Sequence, residues 1–109
     1  MPQIKMRGVD LEKVCAGSKE MIDNLEEIIG CPRDYFTIEW VPSTFVCDGG
    51  IVPGYPFVEV VWFDRGQKIQ DQVAREITRF VHEMGYSSVD VYFHALEKNS
   101  YYENGVSFI

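Results

Sequence analysis

The first two residues, Met1 and Pro2, are the part of the sequence best suited to chemistry. Removal of Met1 would give Pro2 a free secondary amine at the start of an alternating segment, residues 2–7. An amine at the mouth of a pocket can take a proton from carbon and return it elsewhere, which is general acid–base catalysis. With Met1 attached, the same nitrogen is an amide and has no basicity. Because a strand terminus needs no proline N–H, the dipeptide alone also fits a purely structural role.

Length and charge restrict the kind of protein that this sequence can encode. A chain of 109 residues predicts a single domain, residues 1–109, with one hydrophobic core. The net charge of −7 argues against binding to nucleic acid or to a membrane surface, because both need a basic face. Apolar runs are too short to cross a bilayer, and we expect a cytoplasmic location.

Side chains that would indicate a cofactor or metal site do not cluster in the sequence. The three cysteines, Cys15, Cys31 and Cys47, form no Cys-x-x-Cys pair and leave an odd thiol. Neither a disulfide framework nor a zinc site is therefore predicted. Since a glycine-rich phosphate loop is also missing, we expect no cofactor and no metal.

Hydrophobic periodicity predicts a first unit of strand, helix and strand. Pro2–Arg7 alternates apolar and polar residues, as a strand with one buried face does. Asp10 is a candidate helix N-cap, and apolar residues then recur every three or four positions as far as Gly30, a candidate C-terminal cap. The aromatic and β-branched segment Tyr35–Val41 predicts the second strand.

A second unit repeats this pattern. Phe57–Phe63 is the most apolar strand, a helix follows Gly66 and closes at Gly85, and Val89–Ala95 is the last main strand. A shift of 55 residues places Gly30 on Gly85. The repeated units span residues 2–42 and 57–95, with a connector at 43–56 and a tail at 96–109.

The repeat predicts an α+β fold in which two β-α-β units form a four-stranded mixed sheet, with two helices on one face. Element order alone leaves a ferredoxin-like sheet open. In the connector we expect a short hairpin around Phe45–Val52, and in the tail one short edge strand after an Asn-Gly turn. The strand Phe57–Phe63 is nearly apolar on both faces and the tail is aromatic, so we also expect self-association.

Several segments along the chain together resemble a known superfamily. They are Met1-Pro2 before a strand, the helix that ends at Gly30 with its Pro32 turn, and the segments Tyr35–Pro42, Gly49-Gly50, Phe57–Phe63, Val91–His94 and Ser107-Phe108. Their order and spacing resemble the superfamily of 4-oxalocrotonate tautomerase and macrophage migration inhibitory factor. Within it, the chain is most similar to a bacterial branch of uncharacterised proteins, which carries Pro-Arg-Asp-Tyr-Phe, here 32–36, Trp-Phe-Asp-Arg-Gly, here 62–66, and Tyr-Tyr-Glu-Asn-Gly, here 101–105.

The resemblance implies a homotrimer with a central channel, and active sites near the subunit boundaries. It implies that Pro2 is a general base acting on a small anionic substrate, a 2-oxo or enol carboxylic acid. Arg65 would hold the carboxylate, and Phe63 would line the pocket. Tyr92 matches a tyrosine that closes the pocket, often from the neighbouring subunit, and His94 replaces an amide there. Arg65 could equally be a surface arginine, Phe63 could equally be a core residue at the strand end, and the histidine could be structural.

The turn after the first helix adds two candidates. The resemblance places Asp34 near an acidic residue that activates water in hydratase and decarboxylase members. The inhibitory factor has a lysine in this region. Arg33 could take over the role of that lysine, while Cys31 could occupy its position in the sequence. Alternatively, Arg33 and Asp34 could form a surface salt bridge. Two functions therefore stay open: an enzyme that uses Pro2, and a non-catalytic trimer that binds a small ligand or a protein.

Overall fold

The structure, a computed structural model, describes residues 1–109. It contains two α-helices, two 3-10 turns and eight strands. The helices are α1, Leu11–Ile29, and α2, Gln67–Glu83, and the 3-10 turns are Arg33–Tyr35 and Lys98–Ser100. The strands are β1 (Pro2–Arg7), β2 (Thr37–Val41), β3 (Phe45–Cys47), β4 (Gly50–Val52), β5 (Phe57–Trp62), β6 (Asp90–Ala95), β7 (Tyr102–Glu103) and β8 (Val106–Ser107).

The main sheet has four strands in the order β2-β1-β5-β6. Each β-α-β unit contributes one parallel pair, β1 with β2 and β5 with β6, and the two units meet at an antiparallel pair of β1 with β5. Because the two strands of each unit are direct neighbours, the arrangement excludes the split units of a ferredoxin-like sheet. The predicted mixed sheet with two helices is confirmed.

Alternation along the strands decides which face the helices cover. In β1, Ile4 and Met6 are buried while the residues between them are exposed, and in β5 Val58, Val60 and Trp62 are buried. These side chains share one hydrophobic cluster with the buried faces of α1 and α2. Both helices therefore pack on the same face of the sheet, which follows from the two-residue period of a strand.

Helix α1 begins and ends where its capping residues predict. The Asp10 carboxylate accepts a hydrogen bond from the Lys13 backbone N–H at 3.1 Å. At the other end Gly30 has φ 78°, and its N–H donates to the Glu26 carbonyl oxygen at 2.8 Å. A left-handed residue of this kind satisfies a carbonyl that the helix end would leave unpaired.

Gly17 lies where α1 and α2 approach each other. A Cβ atom at this position would lie 2.3 Å from Cε1 of Phe80. The glycine costs α1 about 1 kcal/mol of helix propensity relative to alanine, but it permits the close approach.

We therefore expect Gly17→Ala to lower the free energy of unfolding by about 1–3 kcal/mol, because overpacking outweighs the gain in propensity. Urea unfolding measures this change. Cys15→Ala, at an exposed position of the same helix, is the matched control and should change stability by less than about 0.5 kcal/mol. A more stable Gly17→Ala protein would contradict the packing role.

The second face of the main sheet carries no helix, and charged side chains interrupt its apolar surface. Phe57 and Val61 do point to this face, but Glu59 lies between them on β5. Arg7 on β1 covers Phe57, with Cζ 4.6 Å from the ring centroid, and lies 3.7 Å from the Glu59 carboxylate. The open face is therefore mixed charged and apolar rather than uniformly apolar.

Two hairpins lie outside the main sheet. The predicted connector hairpin is confirmed as β3 paired with β4, and it exposes Val46 and Ile51. The tail differs from the prediction of one edge strand, because β7 pairs with β8 around Asn104 and Gly105, which have φ 51° and 80°. The second strand also starts later than predicted, at Thr37, since the preceding residues form a 3-10 turn. No helix combines the length and the apolar character needed to cross a membrane.

Candidate functional site

The start of β1 lies beside the end of β5. Their antiparallel register places Pro2 opposite Trp62, so the N-terminus meets the segment that follows β5. Phe63 and Arg65 belong to that segment, between the last strand residue and the first residue of α2. The register alone thus brings a terminal amine, an aromatic ring and a guanidinium to one end of the sheet.

A cleft of about 460 Å³ opens at this end of the sheet, and we call it the N-terminal cleft. Its volume lies in the range of small-molecule sites. The lining residues are Met1, Gln3, Asp34, Tyr35, Thr37, Phe63, Arg65, Tyr101, Glu103 and Phe108. A larger groove of about 580 Å³ lies over α2, but only side chains of that one helix line it. The N-terminal cleft is therefore the better candidate.

Three aromatic rings form one wall of the N-terminal cleft. The ring centroid of Phe63 lies 5.2 Å from that of Tyr101 and 5.5 Å from that of Phe108, and the latter two rings are 4.6 Å apart. A hydrogen bond of 3.1 Å from the Phe108 N–H to the Tyr101 carbonyl oxygen holds the tail in this position. The tail hairpin therefore closes the cleft on one side.

The charged groups of the cleft are not paired with one another. Arg65 donates from Nη1 to the Phe63 carbonyl oxygen at 2.9 Å, and its Cζ lies 5.6 Å from the Trp62 ring centroid. Arg65, Asp34 and Glu103 each lie in the cleft lining without an ion pair. The cleft thus offers one guanidinium and two carboxylates to a ligand.

The α-amine of Met1 lies in the same cleft. Burial lowers its pKa below the usual value of 8.0 because the charged form loses hydration, and Arg65 lowers it further, while Cys31 and Asp34 act in the opposite sense. The Tyr101 hydroxyl contacts the Met1 Sδ atom. The Pro2 side chain is fully buried, and with Met1 attached the proline nitrogen is an amide.

The structure brings together four of the seven candidate residues predicted from the sequence. Pro2 adjoins the cleft through Met1, and Asp34, Phe63 and Arg65 line it. Tyr101, Glu103 and Phe108 also line it and were missed as site residues. Their signal was the Tyr-Tyr-Glu-Asn-Gly motif and the aromatic character of the tail.

The other three candidates lie elsewhere in the single chain. Arg33 does not line the cleft; its Nη1 lies 2.5 Å from Asp23 and 3.6 Å from Glu26, both on α1. Tyr92 and His94 are exposed on β6, on the open face of the sheet. Within one chain they are separated from Pro2 by the whole of β5.

The structure contains no cluster of side chains that could serve as metal ligands. No group of three or more His, Cys, Asp or Glu side chains is placed to hold a metal ion. The charged residues of the N-terminal cleft are instead a guanidinium, suited to carboxylates, and two carboxylates that could accept hydrogen bonds.

Comparison with known structures agrees with this geometry. A DUF1904 protein, a domain of unknown function, from Sebaldella termitidis is 39% identical over 98% of this chain and 99% of its own, with a TM-score of 0.91. A macrophage migration inhibitory factor-like protein from Entamoeba histolytica is 17% identical, with 97% of each chain covered and a TM-score of 0.73. The asymmetric trimer of a fused 4-OT is 13% identical over 98% of this chain and 96% of its own, with a TM-score of 0.80.

The last two likenesses concern the fold alone: the chain has the same fold as the migration inhibitory factor-like protein and the fused 4-OT. No curated protein matches the chain significantly. The sequence profile of DUF1904, described as a domain of unknown function, matches residues 1–107. With nearly its whole length matched, and with this fold, the chain belongs to the DUF1904 family.

Proposed function

We propose that the chain, after removal of Met1, uses the Pro2 amine as a general base on a small 2-oxo or enol monocarboxylic acid. The observation that carries the proposal is the position of the N-terminus in a cleft beside an unpaired guanidinium. The amine of Met1 in this cleft has a lowered pKa, and the same burial and the same arginine would act on an amine at Pro2. A base whose pKa lies near neutrality is the most effective at neutral pH.

The reaction is a proton transfer from carbon to oxygen or to another carbon. The Pro2 nitrogen takes a proton from C3 of the 2-oxo acid, the C–H electron pair forms a C3–C2 double bond, and the oxo π electrons move to oxygen. The resulting ammonium then returns the proton to the enolate oxygen or to carbon. Arg65 holds the carboxylate, since a guanidinium binds carboxylates through two parallel hydrogen bonds.

The aromatic wall and the charge of the cleft favour a monocarboxylate with an apolar body. Phe63 and Phe108 offer apolar surface. Asp34 and Glu103 would repel a second carboxylate, because like charges within a few ångströms disfavour each other. Asp34 could also position a water molecule, in which case the same amine would support hydration or decarboxylation.

Exchange of the C3 hydrogens of 2-oxobutanoate for deuterium tests the proposal. Protein of confirmed mass, lacking Met1, is incubated with the acid in D₂O, and the C3 proton signal is followed by NMR. We expect exchange faster than the buffer-catalysed rate, saturable in the acid. If 2-oxobutanoate and longer monocarboxylic 2-oxo acids all exchange at the buffer rate, the enzymatic proposal is wrong.

A non-catalytic binding protein is the second candidate function. A retained Met1 would favour it, because the side chain lies in the cleft against Tyr101 and the Pro2 nitrogen is then an amide without basicity. A chain that keeps Met1 could bind a small ligand or a protein partner on the same scaffold. Intact mass of protein made at low level distinguishes the two, since only the enzymatic reading requires loss of methionine.

The proposal includes a homotrimer. Val46 and Ile51 of the connector hairpin are 69% and 82% exposed, and apolar side chains this exposed are suited to an interface. Tyr92 and His94 could reach an N-terminal cleft only if it belonged to a neighbouring chain. The fused 4-OT neighbour is itself a trimer.

Sedimentation equilibrium should give three times the chain mass of 12.6 kDa. Ile51→Glu should shift the protein to smaller species, because a carboxylate in an apolar interface is left without a partner. Glu12→Gln, on the exposed side of α1, is the control and should leave the mass unchanged. A compact wild-type monomer would contradict the trimer.

A further inference from the structure

We infer that the Tyr101 hydroxyl binds the oxo oxygen of the substrate in the cleft of its own chain. The inference rests on the proposed function and adds a group on the oxygen side of the reaction. The observation behind it is the juxtaposition of the Tyr101 hydroxyl and the N-terminal residue. Met1 Sδ contacts that hydroxyl, and Met1 is the residue whose removal frees Pro2.

Tyr101 is held rigidly. Its ring packs edge-on against Phe63 and Phe108, with centroid distances of 5.2 Å and 4.6 Å. Its N–H donates to the Lys98 carbonyl oxygen at 3.2 Å, and its own carbonyl oxygen accepts from the Phe108 N–H. Ring and backbone are thus fixed from both sides, and a fixed donor loses little entropy when it binds a ligand.

The hydroxyl has one protein partner, the thioether of Met1. Tyrosine hydroxyls that are partly buried usually find a hydrogen-bond partner. No other side chain of this chain engages the hydroxyl, so removal of Met1 would leave it free at the cleft that Met1 occupies, next to the Pro2 nitrogen. A small acid that occupies this volume would meet the amine at one atom and the hydroxyl at another.

This placement suits proton transfer from carbon. As Pro2 removes the C3 proton, negative charge develops on the oxo oxygen, and the Tyr101 O–H donates a hydrogen bond to it. The tyrosine keeps its own proton, so the only proton transferred is the one that Pro2 takes from C3 and later returns. Donors aimed at a developing oxyanion contribute about 100- to 1,000-fold in rate.

Tyr92 is the rival for this role. It is 54% exposed on the open face of the sheet, and the resemblance assigns it to the pocket of a neighbouring chain. Tyr101 needs no neighbour, because it lines the cleft of the chain that supplies Pro2. If Tyr101 binds the oxo oxygen, loss of its hydroxyl should impair turnover. If Tyr92 does so instead, loss of the Tyr92 hydroxyl should impair turnover.

The experiment compares Tyr101→Phe with Tyr102→Phe and Tyr92→Phe in protein lacking Met1. Phenylalanine keeps the ring packing and removes only the hydroxyl. In the C3 exchange assay we expect Tyr101→Phe to lower kcat by about 100-fold with little change in KM. Tyr102→Phe, at an exposed neighbouring position, should behave as wild type. Thermal unfolding confirms that each variant is folded.

A binding readout separates failure of this inference from failure of the proposed function. Oxamate is an inert, planar monocarboxylate with an oxo oxygen beside its carboxylate, as in a 2-oxo acid, and calorimetry should show about 10-fold weaker binding to Tyr101→Phe than to wild type. If Pro2→Ala is impaired but Tyr101→Phe keeps wild-type turnover, the inference is overturned and the function stands. If wild type does not turn over, oxamate decides: equal affinity of both proteins, or no binding to wild type, overturns the inference.

Discussion

Protein that keeps Met1 should exchange the C3 hydrogens of 2-oxobutanoate about 100- to 10,000-fold more slowly than the same protein without Met1. This range is the usual contribution of a positioned acid or base. With Met1 attached, the Pro2 nitrogen is an amide, and the chain's amine, that of Met1, lies one residue away from the position of the base. The two proteins differ in one residue outside β1 and share every other group of the cleft. Equal exchange rates would show that Pro2 is not the base.

Pro2→Ala is the companion variant. It also begins with an amine after processing, but a primary amine on a small residue loses the fixed position of the buried proline ring. We expect turnover to fall by at least about 10-fold, since a misplaced base contributes little. Full retention of turnover would remove the specific role of proline. Lys5→Ala, at an exposed position of β1 outside the cleft lining, keeps Pro2 and controls for disturbance of the strand.

Arg65→Gln should raise KM for monocarboxylic 2-oxo acids by roughly 10- to 100-fold. A hydrogen bond to a charged group contributes about 1.5–3 kcal/mol, and each 1.4 kcal/mol is about tenfold. Lysine keeps the charge but not the planar fork, so Arg65→Lys should be intermediate. Arg75→Gln, an exposed arginine of α2, is the matched control.

A neutral substrate shows whether Arg65 binds the carboxylate. The amide of 2-oxobutanoate lacks the negative charge, so Arg65→Gln should change its exchange rate by less than about twofold. If the variant impairs the acid and the amide to the same extent, the arginine supports the structure of the cleft instead, through its bond to the Phe63 carbonyl oxygen.

Local sequence determines the helices of this fold better than it determines the sheet. The caps Asp10 and Gly30 set the ends of α1 through contacts within a few residues, so they could be identified in advance. The order of the strands depends on pairing between distant segments, and the sequence left a ferredoxin-like order open. The antiparallel pair of β1 with β5 resolved it.

The site residues that could be predicted from the sequence are those that the pairing of β1 with β5 brings together. Phe63 and Arg65 come directly after β5 and reach Pro2 because the two strands are neighbours. Arg33 had no such constraint, and the carboxylates of α1 engage it instead. Tyr101 could not be assigned from periodicity, because the short pair of β7 with β8 and the ring contacts with Phe63 place it.

The central claim is that Pro2 has a free amine with a lowered pKa. Protein labelled with [¹⁵N]proline contains five labelled nitrogens, of which only an N-terminal Pro2 can titrate. We expect one ¹⁵N signal that titrates below the usual α-amine pKa of about 8, because the burial and the Arg65 charge that lower the pKa of the Met1 amine in this cleft would also act on a Pro2 amine. Five amide signals that do not move with pH, or an amine that titrates at or above its usual value, would contradict it.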